Sequence, residues 1–280
     1  MDILVIIFLV FGLAAMVVAF MIEGGQLIAL VSLTGFLIVI GGTVAAVGVS
    51  FPKSDIMRVP ALFKIAFTDK KFDMLGLIKS IKSMSKIARE KGILSLEKEI
   101  NENTKIDSFT KRGLGFILDG LDPIKTREAL ELDLQMMSYR HKSGAAMFDA
   151  AGGYAPTMGI IGTVMGLISV LGDLADPSGL GESIAVAFIA TLYGVGSANI
   201  LWLPLASNLK SKSKKEIVRN SMIIEGLLLI QEGANPNFIE DKLKSYLSKD
   251  DLKQKGSEKQ KDPKKAVGKA KQKINTQKEA

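Results

Sequence analysis

The chain has 280 residues, 48% of them hydrophobic, with a mean hydropathy of +0.26 and a net charge of +7. Its 36 basic residues fall in two blocks, 53–142 and 210–280, and residues 1–52 and 143–209 hold none. That segregation excludes an ordinary soluble globule, whose surface charges recur along the sequence. It points to membrane spans divided by water-facing blocks. With no Cys there is no disulfide framework or cysteine nucleophile, and the single histidine, His141, excludes a multi-histidine metal centre. One Trp and four Tyr argue against stacking platforms for nucleic acid.

In chain order, the first segment that can cross a hydrocarbon core is Ile3 to Met21 (ILVIIFLVFGLAAMVVAFM). Such a core needs ~20 apolar residues. The segment lacks a basic leader and a second span follows at once, so it reads as a retained span rather than a signal peptide. The second span is Leu27 to Val49, the third runs from about Ala145 to Leu171, and the fourth from about Ile184 to Leu205. The links between spans one and two and between spans three and four carry no basic residue. The 53–142 block carries 18 Lys and Arg against 13 Asp and Glu. Basic blocks stay cytoplasmic, so both are expected inside, together with both termini.

The fold expected is all-α: an integral membrane protein with four transmembrane helices, the third and fourth extending into a helical cytoplasmic domain. The divisions are 1–51 for the first two spans, 52–143 for a cytoplasmic helical domain and 144–208 for spans three and four. A helical extension follows at 209–248 and a basic, disordered tail at 249–280. Asp122-Pro123 marks a turn, after which Pro156 is the only proline up to Leu171, so one long helix enters span three from the cytoplasm. Span four continues likewise into KSKSKKEIVRNSMIIEGLLLIQ. Gly233 and Pro236 end it, and Phe238 to Leu247 reads as a short amphipathic helix. Within the first block, LGLIKSIKSMSKIARE has helical spacing and Gly92 interrupts it. The tail holds eleven Lys and five acidic residues, a solvated segment suited to anionic lipid headgroups.

No carboxylate lies deep in the spans, although ion paths usually need one. Asp149 is near the cytoplasmic start of span three, and Asp173 and Glu182 lie at the outer ends. The polar groups inside are Thr163 in span three and Thr191, Tyr193, Ser197 and Asn199 in span four. A membrane threonine ordinarily bonds its own i−4 carbonyl. The alternative is that these oxygens solvate a hard cation or hold a water chain. Gly162 and Gly166, four apart, allow close helix approach and favour oligomerisation or a partner helix. Pro156 and Pro204 each remove a backbone hydrogen bond and look like paired hinges, or plain kinks. Arg89 and Glu97 bracket a turn containing Gly92 and on composition alone are surface charges. Nothing in the spans suggests an enzyme: there is no paired Asp, Ser–His pair or metal-ligand cluster, and no cofactor is expected.

Five segments, in this order, carry a family likeness: GFLIVIGGTVAAVGVSFP, IAREKGILSLEKEI, YAPTMGIIGTVMGLI, ATLYGVGSANILWLPLA and EGANPNFIEDKLKSYL. The chain resembles the MotA/PomA family of flagellar motor stator A subunits. The resemblance implies five copies around a dimer of a single-span B subunit. That partner supplies the ion-binding Asp, and the flow of H+ or Na+ turns the ring against the rotor's switch-complex protein in the bacterial inner membrane. It implies that Thr163 and Thr191 lie by the ion path, Pro156 and Pro204 serve conformational coupling, and Arg89 and Glu97 contact the rotor. Sodium-type members tend to have Thr at the position of Thr163 and proton-type members often Ala, which leaves the ion open. The alternatives are an ExbB/TolQ-type energiser, which has one span before the cytoplasmic block where this chain has two, and a non-conducting membrane scaffold.

Overall fold

The computed structural model describes residues 3–69, 72–102, 106–172 and 180–248, apart from the side chains of 99, 101, 102 and 182. The link at 173–179, with Asp173, and the basic tail from 249 lie outside the described residues, as does the side chain of Glu182. Every regular element among the described residues is helical. The helices are α1 (Ile3–Ile22), α2 (Leu33–Phe36), α3 (Gly42–Ser50), α4 (Lys53–Ile56), α5 (Val59–Ala66), α6 (Met74–Lys91), α7 (Leu96–Glu102), α8 (Ser108–Leu118), α9 (Pro123–Gly172), α10 (Leu180–Ser197), α11 (Leu203–Gln231) and α12 (Pro236–Leu243). Four stretches are long and apolar enough to cross a membrane: Ile3–Ile22, Leu27–Ser50, Pro123–Gly172 and Ser183–Gln231.

The chain divides into two compact units. One is Met1–Lys70 with Met136–Lys215, and the other is Lys71–Gln135 with Glu216–Ala280. The unit boundaries fall inside the two basic blocks rather than at their edges, because α4 and α5 pack with the apolar helices. The first unit is held at one end by Leu62, Ala145, Phe148, Leu205 and Leu209. Phe63 meets Phe148 edge-on at 5.1 Å and Trp202 at 6.5 Å. Lys212 Nζ donates to the carbonyls of Ile65, Ala66 and Thr68, which satisfies acceptors that α5 leaves open at its C-terminus.

The helix α9 begins as the sequence predicts. Asp122 Oδ1 accepts from Lys125 N at 2.9 Å, and Pro123 occupies the first turn, where its missing donor costs nothing. At ~1.5 Å per residue its 50 residues extend about 75 Å, well beyond the ~30 Å of a hydrocarbon core. Span two is less regular than the sequence suggests. A 3-10 turn at Leu27–Leu30 precedes it, Ser32 Oγ caps it by accepting from Gly35 N at 3.1 Å, and a π-turn at Leu37–Gly41 separates α2 from α3. A second π-turn, Ala198–Trp202, joins α10 to α11.

The second unit is a helical bundle. Ile81, Leu96, Leu114, Leu130, Met222, Leu227 and Leu243 are all fully or nearly fully buried. Its chain reversals use glycines in left-handed conformations that other residues rarely adopt, Gly92 at φ 83° and Gly233 at φ 70°. After Gly233, Asn235 accepts from Asn237 N at 2.9 Å and α12 starts at Pro236. Three ion pairs on two half-buried carboxylates fix this unit. Arg219 Nη2 meets Asp107 Oδ2 at 2.6 Å, and Glu225 is shared by Lys242 and Arg127. Burial alone would raise the Asp107 pKa, but hydrogen bonds from Thr110 and Arg219 outweigh it and hold the group below its ordinary value.

Candidate functional site

The third and fourth spans meet along a seam with almost no side chains. A Cβ on Gly194 would lie 2.6 Å from Ala155 O, one on Gly159 2.9 Å from Ala190 O, and one on Gly166 2.7 Å from Ala187 Cβ. Glycine is required here because backbone meets backbone. The small residues read as favouring oligomerisation are therefore consumed inside the chain: Gly162 faces Ala190, and Gly166 faces Ala187.

That close approach brings two hydroxyls together. Thr163 Oγ1 lies 3.2 Å from Gly159 O, its own i−4 carbonyl, and 2.9 Å from Ala187 O on the facing helix. It also hydrogen-bonds directly with Thr191 Oγ1. Three oxygens from two helices thus surround a fourth at mid-span. Two hydroxyl protons serve this cluster, so in the apolar interior its oxygens present partial negative charge toward whatever approaches. The carbonyls of Gly159 and Ala187 were not singled out from sequence, since every residue has a carbonyl and only the helix crossing selects these two.

The other polar groups of span four do not join the cluster. Tyr193 donates to Leu30 O at 2.5 Å and accepts from Ser32 N at 3.1 Å, pinning the start of span two. Ser197 donates to Gly194 O at 3.2 Å and Asn199 to Val195 O at 2.9 Å, both local helix bonds. Asp149, fourteen residues before Thr163, is ion-paired with Lys210 Nζ at 2.5 Å. The sequence places Asp149 near the cytoplasmic start of span three but names no partner for it. The signal that was available is that Lys210 is the first basic residue after span four.

Pro156 lies in α9 two turns from Thr163, about 10 Å along the helix axis. Proline leaves the carbonyl four residues earlier, that of Gly152, without its helical donor. Gly152 is packed under Leu203, where a Cβ would be 2.5 Å from Leu203 Cδ2, and the next residue is Pro204. A Cβ on Gly194 would also lie 3.2 Å from Pro156 Cα. The two prolines therefore act on one helix crossing. The π-turn just before Pro204, in which Leu203 N–H reaches back to Ala198 O, widens the helix where the proline lacks a donor.

In the other unit, Arg89 is exposed in the last turn of α6, and Glu97 is exposed at the start of α7, across the Gly92 turn. Neither makes an ion pair among the described residues. Their neighbour Lys82 does, reaching Glu240 Oε2 at 2.6 Å, while Lys244 holds Glu240 Oε1 at 3.0 Å. Hydrogen bonds from Lys82 and Lys244 lower the Glu240 carboxyl to about 2.

Residues 101–222 match the MotA/TolQ/ExbB proton channel family. Over 255 residues the chain is 38% identical to motility protein A of Bacillus subtilis (strain 168), covering 90% of this chain and 94% of that one. It is 35% identical to chemotaxis protein PomA of Vibrio alginolyticus, over 89% of this chain and 96% of that one. The solved flagellar MotAB stator complex from Bacillus subtilis superimposes with a TM-score of 0.82 at 38% identity, covering 89% of this chain and 97% of the matched one. With two such relatives along nearly its whole length and four helices long and apolar enough to cross a membrane, the chain is a multi-pass membrane protein of the motility protein A branch of the MotA/TolQ/ExbB proton channel family.

Proposed function

We propose that this chain is the ion-driven, torque-generating A subunit of a bacterial flagellar stator, working in the inner membrane with both termini cytoplasmic. The observation that carries the ion-path reading is the Thr163–Thr191 oxygen cluster, from which the next carboxylate along α9 is Asp149, fourteen residues earlier and ion-paired with Lys210. Hydroxyl and carbonyl oxygens can ligate Na+ or hydrogen-bond a water chain that carries H+, but they take up no additional proton at neutral pH. A single-span B subunit supplies the missing Asp; that the solved structures this chain resembles are MotAB complexes supports such a partner. Five A copies around a B dimer would place five such clusters on the path of that carboxylate.

Coupling runs from the cluster to Pro156 and Pro204, two turns along α9 and across to α11. Loading and unloading of the shared carboxylate changes the crossing of spans three and four. The exposed Arg89 and Glu97 then push on a charged face of the rotor's switch-complex protein. One charge crossing 100 mV yields ~2.3 kcal/mol, so repeated transfers drive the step without catalysis or a bound cofactor. Two spans before the first basic block favour a stator over an ExbB/TolQ-type energiser of envelope work. Swimming measured at fixed pH with sodium replaced by potassium, and separately with a protonophore, tests the reading. Speed is expected to collapse in one of the two conditions. Undiminished swimming in both would overturn ion drive.

A further inference from the structure

Of the four spans the first is the least buried: none of its residues is buried. It approaches the other spans at a waist, where a Cβ on Gly12 would lie 3.9 Å from Ile200 Cγ2 and one on Gly196 3.8 Å from Met16 Cε. Beside these contacts the helices part, and the contact residues themselves belong to the cavity walls. One cavity of about 480 Å³ is lined by Leu13, Met16, Phe20, Phe36, Leu192 and Ser197 among others. A second of about 420 Å³ is lined by Leu4, Phe8, Asn199, Pro204 and Asn208 among others.

We propose that this seam is a phospholipid-binding site that takes one acyl chain from each leaflet. At ~30 Å³ per heavy atom in a liquid, the share a water molecule occupies, the two cavities hold about 16 and about 14 carbons, the size of ordinary acyl chains. Along α1 the first cavity runs from Leu9 to Phe20, about 17 Å, and the second from Leu4 to Gly12, about 12 Å. Each is close to the ~15 Å of half a hydrocarbon core. The polar atoms on the walls do not oppose a hydrocarbon occupant. The Tyr193 hydroxyl is already bonded to Leu30 O and Ser32 N, Ser197 to Gly194 O, and Asn199 to Val195 O. The remaining polar group, Asn208, has its Oδ1 buried without a hydrogen-bond partner. It sits two residues before Lys210, at the depth where a lipid's ester groups lie.

The proposal rests on the membrane-spanning reading of these helices and not on the ion or torque reading, so the two fail separately. The full-length chain, co-purified with its partner subunit from vesicles of phosphatidylethanolamine and phosphatidylglycerol, would be washed in detergent and its phospholipid counted by native mass spectrometry. One to two phospholipids per chain are expected to remain. Gly196→Leu and Leu13→Trp, which fill the waist and the first cavity, should each at least halve that number. Val18→Phe, on the lipid-facing side of α1, should leave it unchanged. No retained lipid, or equal retention in the filled variants, would overturn the proposal. So would a cross-link from Leu13→Cys, in a chain with no native Cys, to a second polypeptide. Two filling variants on different helices keep the test open if one of them fails to assemble.

Discussion

Thr163 shows how one hydroxyl can satisfy the ordinary expectation and exceed it. It lies within bonding reach of its own i−4 carbonyl and also of Ala187 O and the Thr191 hydroxyl. Thr191→Val keeps the shape of the side chain and removes one oxygen of the cluster. It is expected to abolish ion-driven motility while the amount of assembled complex stays within about twofold of the parent, checked by swimming assays and co-purification. Normal swimming would remove Thr191 from the ion path. At Glu240 a different residue-scale effect operates. Its carboxyl is held at about 2 by Lys82 and Lys244, below the unfolded value of ~4.3. A lowered carboxylate contributes stability above its unfolded pKa and loses it as pH falls toward the folded one. Hydrogen exchange of α12 should therefore accelerate as pH drops from about 4.5 toward 2 after correction for intrinsic rates, and Lys82→Gln should flatten that dependence.

Among the helices, the decisive contact is the backbone seam between α9 and α10. Gly194 meets Ala155 O, and backbone cannot yield as a flexible side chain can. Gly194→Ala is expected to lower stability by about 1–3 kcal/mol through overpacking, read as a fall in the thermal midpoint of the purified complex. Gly153→Ala, where an added Cβ meets nothing within 4 Å, should leave the midpoint unchanged or raise it. The reverse result would mean that the seam is looser than its glycines indicate. The start of α9 and the ends of α6 and α11 were legible in sequence because Asp122-Pro123, Gly92 and Gly233 are local signals, whereas α12 covers Pro236–Leu243 rather than the expected Phe238 to Leu247. The π-turns at Leu37–Gly41 and Ala198–Trp202 were not. They arise where α2 and α3 pack on α9 near Met158 and Gly162, and where Trp202 packs against Phe63 and Phe148, contacts between residues far apart in the chain.

For the protein as a whole, the proposed division of labour assigns ion handling to the first unit and rotor contact to the second. Reversing the docking charges with Arg89→Glu and Glu97→Lys together is expected to reduce torque on a tethered cell at least tenfold. Ion flux through the reconstituted complex should stay within about twofold. A parallel loss of flux would contradict the division, since neither exposed side chain belongs to the core of its unit.

The membrane character, the four spans, the long third helix and the missing mid-span carboxylate follow from the sequence by itself. Charge segregation and apolar run length depend on the local order of residues alone, because water and hydrocarbon sort such segments whatever the tertiary contacts. The family likeness was also readable in the five segments from GFLIVIGGTVAAVGVSFP to EGANPNFIEDKLKSYL. Which oxygens meet was decided by tertiary structure. Of the four polar groups of span four, Thr191 alone reaches Thr163, while Tyr193 is spent on span two. Which carboxylate is neutralised and which glycines are used up were decided there as well, in the Asp149–Lys210 pair and the Gly159–Gly194 crossing. Each is a contact between residues at least 28 positions apart, set by the angle and depth at which two helices cross, and helical periodicity along one segment carries no record of that angle.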